Sequence, residues 1–114
     1  MATDLRLKAG DTILVEIPVS NGHEQYGTRP AIVVAKATRG TITVLPLTTN
    51  EEALLFPHTL PIKPSPVNGL NSFSVALIYQ IRVLDLIRCK RKLGTLSRTD
   101  YFLVRKILKK YLAL

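Results

Sequence analysis

The sequence predicts a mainly-β member of the α+β class: a small, strongly bent antiparallel sheet, barrel-like in outline, closed by one C-terminal helix. Three observations carry this. Short runs rich in Val, Ile and Thr recur between turn signals from Thr12 to Leu93. Pro57, Pro61, Pro64 and Pro66 exclude a helix from the middle of the chain. After Ser97 the apolar residues change from alternation to helical spacing.

Taken in order, Gly10-Asp11 is a turn signal, and Thr12 to Ile17 alternates so that Ile13, Val15 and Ile17 share one face of a first strand that Pro18 stops. Ser20 to Thr28 is polar with two glycines and reads as a long exposed loop. Ala31 to Ala35 is a β-branched apolar run too short for a helix, hence a buried strand. A turn at Arg39-Gly40 leads to a third strand, Thr41 to Leu47, ending at Pro46. Thr48 to Glu52 leaves the sheet, and Phe56 to Leu70 is extended with a short edge strand near Thr59 to Lys63. Ser72 to Leu86 is the longest β-like run, and Arg88 to Leu93 is the last strand. Ser97 with Asp100 resembles a capping box, and Tyr101, Val104, Leu108 and Tyr111 place a helix over 98–113.

A length of 114 residues fits one domain, 1–114, with one core. The 46% hydrophobic content is more than so small a core easily hides, which predicts apolar surface covered by a partner or a second copy. Met1 to Gly10 has neither a signal-peptide core nor a membrane-spanning run, so no membrane association is expected and the cytoplasm is the expected compartment. The one cysteine, Cys89, excludes an internal disulfide and reads as a small strand residue. His23 and His58 are too few and too far apart to argue for a metal, so no metal and no cofactor is expected.

The charge is lopsided. Residues 1–80 hold six basic and six acidic side chains, whereas 81–114 hold ten basic ones against Asp85 and Asp100, the whole of the formal +8. Such concentration is the footprint of a polyanion binder, with a solvated basic face or a surface for an acidic protein as the alternatives.

Metal-free RNA cleavage would require the ribose 2′-hydroxyl to lose a proton and attack phosphorus, the phosphorane charge to be stabilised, and the 5′-oxygen to be protonated. Arg29 suits the central part: it precedes Pro30, which holds it extended where a loop meets a rigid strand. Thr48, at the end of the third strand, comes near Arg29 if the second and third strands are antiparallel. Each is also an ordinary turn residue by position. His23, Glu24 and Gln25 precede Arg29, and Gln80 and Arg82 lie on a later strand; all five either bind bases and phosphates or solvate the surface.

Gly10-Asp11-Thr12-Ile13-Leu14-Val15, then Gly22 to Val34 containing Gly27-Thr28-Arg29-Pro30, then Leu47-Thr48-Thr49, then Tyr79-Gln80-Ile81-Arg82, Asp85 to Arg88 and Leu93-Gly94 resemble the MazF/PemK family of toxin endoribonucleases, in order from about Lys8 to Ser97. The resemblance implies an SH3-like small barrel, a homodimer, sequence-specific cleavage of single-stranded messenger RNA, and neutralisation by an acidic cognate antitoxin. By position it makes Arg29 and Thr48 the catalytic pair, Glu24 an acidic loop residue near the site and Gln80 a substrate-side residue; His23, Gln25, Thr49, Tyr79 and Arg82 join Glu24 and Gln80 as candidates for substrate binding. The family's arginine is assigned acid and base roles. A guanidinium stays protonated to about pH 12, so Arg29 is read as a transition-state clamp and proton donor, with Thr48 as a hydrogen-bond donor.

Two residues depart from the family pattern. His23 stands where a small hydroxyl residue is commoner and Tyr79 where an acid is common. For His23 this leaves loop solvation, base recognition and base catalysis open; for Tyr79 it suggests stacking on an unpaired base. Two other classes remain as alternatives. One is a gyrase poison like the CcdB proteins, which share this fold; a C-terminal tail with tryptophan carries their activity, and this chain has no Trp. The other is a non-catalytic basic RNA-binding module.

Overall fold

A computed structural model describes residues 6–18, 27–36 and 39–114. The strands β1 (Asp11–Ile17), β2 (Gly27–Lys36) and β3 (Thr41–Thr48) are followed by a 3-10 turn at Glu51–Leu55. Next come β4 (Thr59–Ile62), β5 (Ser74–Leu77), a turn at Ile78–Gln80, β6 (Arg82–Asp85), a turn at Leu86–Arg88, β7 (Cys89–Thr95) and the helix α1 (Arg98–Tyr111). All pairings are antiparallel, in the order β4-β5-β3-β2-β1-β7, with β6 also on β3.

The central strands are buried on both faces, which explains why β2 reads as a continuous apolar run. One face packs Ile13, Val15, Ile17, Ala31, Val33, Ile42 and Val44 with Leu84 of β6 and Cys89 of β7. Because β6 and β7 both reach this cluster, the sheet curls around it as a barrel. The opposite face packs Ile32, Leu45 and Leu47 with Ile62, Leu70, Ala76, Ile78 and Val104, and α1 seals it with Tyr101, Ile107 and Leu108. The α1 cap is the expected one, Ser97 Oγ accepting from the Asp100 amide at 3.0 Å.

Several boundaries differ from the sequence reading. β3 continues through Pro46 to Thr48, because the proline stands between the β6 ladder, which ends at Val44, and the β5 ladder, which starts at Leu47. The run from Ser72 to Leu86 is two strands, broken at Ile78–Gln80. Ile78 turns into the outer core there, a tertiary demand that alternation does not report. The last strand begins at Cys89 rather than Arg88 and runs to Thr95. Gly27 and Thr28 belong to β2, opposite Ile17 and Glu16, so Arg29 lies within a strand and not at its junction with a loop. The short turn at Glu51–Leu55 was not anticipated; Asn50 caps it by accepting from the Glu52 amide at 3.0 Å.

The segment from Lys63 to Leu70 is pinned to β1 and β7. Buried Asn68 accepts from the Ser65 and Leu70 amides and donates to the Lys63 carbonyl, and Thr12 Oγ1 donates to the Asn68 carbonyl at 2.6 Å. Gly69 and Gly94 allow the crossing: a Cβ at Gly69 would strike the Leu93 carbonyl and one at Gly94 the Val67 carbonyl. Asp11 is a buried anion beside this crossing, accepting from the Lys8 amide and the Thr95 hydroxyl, with the Lys92 ammonium at 3.3 Å. Burial alone would raise its carboxyl, but these donors outweigh it and hold the group below the usual carboxylate value. Cys89 is buried at the start of β7, and burial pushes its thiol up, as suits an inert strand residue.

Candidate active site

The β2–β3 ladder pairs Ala31 with Pro46, Ile32 with Leu45 and Val33 with Val44. The ladder ends at the first of these pairs; Arg29 lies two residues before Ala31 and Thr48 two residues after Pro46, at the same end of the two strands. Arg29 is also held against Val15 of β1. Thr48 is held against Val75 of β5 and is only 8% exposed.

The Thr48 hydroxyl is oriented. Its Oγ1 accepts from the Asn50 amide at 3.2 Å, and Asn50 in turn accepts from the Glu52 amide. This relay fixes the oxygen as an acceptor toward the chain and leaves its proton for donation outward.

Thr48 lines a cavity of about 780 Å³ whose walls include four rings, Phe56, His58, Tyr79 and Tyr111, with Gln80 and Glu52 also on the wall. The Phe56 and Tyr79 rings meet edge to face at 6.4 Å, and His58 and Tyr111 at 5.1 Å. Gln80 Nε2 donates to the Tyr79 hydroxyl at 3.3 Å. Stacking surfaces beside polar tips suit an unpaired base. Thr49, the next residue, lines a separate cleft of about 360 Å³ with Pro30, Asn71, Ser72 and Arg91.

Of the nine residues expected at the site, Thr48, Tyr79 and Gln80 come together on the larger cavity. Thr49 lines the second cleft, and Arg29 lies on β2 against Val15, two residues beyond the last β2–β3 pair. Arg82 does not join them: it pairs with Val44, four residues back from Thr48, or about 13 Å along the strand. His23, Glu24 and Gln25 lie outside the described residues. Among the described residues no three His, Cys, Asp or Glu side chains come together as metal ligands.

Phe56, His58 and Tyr111 were missed. Tyr111 carries the helical period and reads as core, while His58 invites only a metal question. One signal was available: Phe56-Pro57-His58 puts two rings around a proline just after the third strand. His58 itself adopts a left-handed φ of 61°, uncommon for a non-glycine residue.

The family model described as PemK-like, MazF-like toxin of type II toxin-antitoxin system matches residues 8–112. The chain belongs to this family. A Staphylococcus saprophyticus protein named Endoribonuclease MazF is 33% identical over 95 residues, which is 80% of this chain and 78% of that one. The crystal structure of MazF from Deinococcus radiodurans superposes with a TM-score of 0.81 at 25% identity, covering 97% of this chain and all of that one. A MazE-MazF structure from the same organism matches with a TM-score of 0.72 at 27% identity, covering 97% and 99%. The SH3-like barrel with its C-terminal helix is thus the fold of a PemK/MazF toxin.

Proposed function

We propose that this chain is the toxin of a type II toxin-antitoxin system, a sequence-specific endoribonuclease that cuts single-stranded messenger RNA in the cytoplasm without a metal and so inhibits growth. The observation that carries the site is the oriented Thr48 hydroxyl on the wall of an aromatic cavity, with Arg29 at the same end of strands β2 and β3 as the bidentate cation. The relatives named as endoribonucleases support the reaction class.

The 2′-oxygen attacks the adjacent phosphorus as its proton leaves to a base, forming a bond to phosphorus while the bond to the 5′-oxygen breaks. Arg29 binds the phosphorane oxygens, whose added charge it meets more strongly than the ground state, and donates a proton to the leaving oxygen. Thr48 donates to a non-bridging oxygen. The base is assigned to His23 or Glu24, the titratable pair preceding Arg29 in sequence. Gln25 and Arg82 are assigned to binding the RNA strand.

The partners follow from the same surfaces. An acidic antitoxin segment suits a site flanked by the basic C-terminal third, and one relative structure is of MazE with MazF. A homodimer suits the exposed Val83 and Ile87 around β6, the latter 78% exposed. No helix among the described residues is long and apolar enough to cross a membrane.

The test is incubation of the purified protein with a long RNA in chelator, with fragment ends mapped. Discrete fragments from the parent, absent with Arg29→Ala and Thr48→Ala, are expected. Undiminished cutting by both variants would overturn the site assignment, and gyrase inhibition without RNA products would overturn the function.

A further inference from the structure

Thr48 and Thr49 are consecutive at the end of β3, yet they line different cavities. Thr48 opens on the aromatic cavity, whereas Thr49 and Pro30 open on the smaller cleft. A polymer passing over this end meets both.

The smaller cleft has the chemistry of an anion site. Its floor is a row across three strands, Arg91 of β7 beside Leu14 of β1 beside Pro30 of β2. Its walls carry Thr49, Asn71 and Ser72, and no carboxylate lines it. Arg91 differs from its neighbours: Arg88 and Lys90 reach Glu16, and Lys92 reaches Asp11. Among the described residues no carboxylate lies within ion-pair distance of Arg91. Register shifts in the β1–β7 ladder flank the residue, one on each side, and such irregularities re-aim side chains at a sheet edge.

The cleft is also preformed. Buried Ser74 donates its hydroxyl to the Ser72 carbonyl at 3.1 Å, and Asn68 and Gly69 lock the segment before it. Rigid walls keep the donors in place before any ligand arrives.

We infer that this cleft binds a neighbouring backbone phosphate of the RNA being cut, with Arg91 as its cation and Thr49, Asn71 and Ser72 as hydrogen-bond donors. This rests on the endoribonuclease reading and adds to it a second phosphate subsite beside the aromatic cavity's Thr48, at the next residue, Thr49. Arg91 touches substrate away from the reacting atoms, so it acts on binding and not on the chemical step.

The experiment uses a cleavable RNA oligonucleotide carrying one uncharged methylphosphonate, placed in turn at each linkage flanking the cut. In the parent, one placement should raise KM about fivefold with kcat unchanged. Arg91→Gln should raise KM similarly on unmodified RNA and be indifferent to that placement. It should also lower the dependence of log KM on log salt by about 0.7, the value of one single-strand phosphate, with Arg91→Lys restoring it. An Arg91→Gln enzyme with parental KM and salt slope, or one still sensitive to every methylphosphonate, overturns the inference. Competitive inhibition by inorganic phosphate that needs Arg91, without any methylphosphonate effect in the parent, overturns it in favour of a free-anion site. If the parent cuts no RNA at all, the endoribonuclease reading fails instead.

Discussion

The Thr48 hydroxyl oxygen accepts a hydrogen bond from the Asn50 amide at 3.2 Å, so one short turn both ends β3 and aims a proton toward the open end of the β2–β3 pair. The group is buried enough to be held and sits on a cavity wall. Thr48→Ser keeps the oxygen and should keep activity within a few fold. Thr48→Val removes both the acceptor and the donor and should lower kcat by about 10²-fold or more, the usual effect of losing one transition-state donor. Single-turnover cleavage of a defined RNA separates these outcomes from changes in binding.

Arg29 tests geometry against charge. A lysine keeps the charge but loses the planar fork that engages two phosphate oxygens. Arg29→Lys is therefore expected to lose most of kcat while retaining KM within a few fold. Cleavage at the parental rate by the lysine variant would reduce the role of Arg29 to simple charge.

The rings around the cavity should govern where RNA is cut. Phe56→Ala and Tyr79→Ala remove stacking surface worth about 1–3 kcal/mol per base. Both are expected to change the distribution of fragment ends on a long RNA, with His58→Ala or Tyr111→Ala acting on the same readout. An unchanged cleavage map in all four would remove the cavity from substrate recognition.

Asp11 ties acid stability to one crossing of the chain. Its carboxyl is held below its ordinary value when folded, so its contribution is complete above the unfolded carboxylate value of about 3.9 and is lost as pH falls through the lower folded value. Asp11→Asn should cost about 1–3 kcal/mol at neutral pH, since buried donors lose a charged acceptor. Urea melts should also show a smaller fall in stability below pH 4 for the variant than for the parent.

Gly69→Ala and Gly94→Ala probe the same region sterically. A new Cβ meets a backbone carbonyl in each case, which a flexible side chain cannot relieve, and Gly69 also holds a φ of 67°. A loss of about 1–3 kcal/mol or more is expected in each, seen as a lower melting temperature. If the loop is displaced, the Arg91 cleft should open with it.

Much of the fold was legible locally. Alternation marked Ile13, Val15 and Ile17, all buried in the structure, and the capping serine with apolar residues at helical spacing marked α1. Four prolines excluded a helix from the middle, and the ordered set of motifs pointed to the PemK/MazF family that the family model matches. These features depend on neighbours in sequence, where steric and hydrogen-bonding preferences act directly.

Register and packing decided the rest. Alternation places a residue on a face without saying which strand lies beside it, so the break at Ile78–Gln80 and the shift of β3 from β6 to β5 were invisible. For the same reason Phe56, His58 and Tyr111, drawn from a turn and a helix far apart in sequence, could not be seen to share one cavity with Thr48. By itself the sequence determined the mainly-β class, the first three strands in outline and the C-terminal helix, and its order of motifs marked Arg29 and Thr48. Only the tertiary structure gathered Thr48 with Phe56, His58, Tyr79 and Tyr111 and placed Arg91 in a polar cleft beside Thr49, because strand register is a long-range choice made by the whole core.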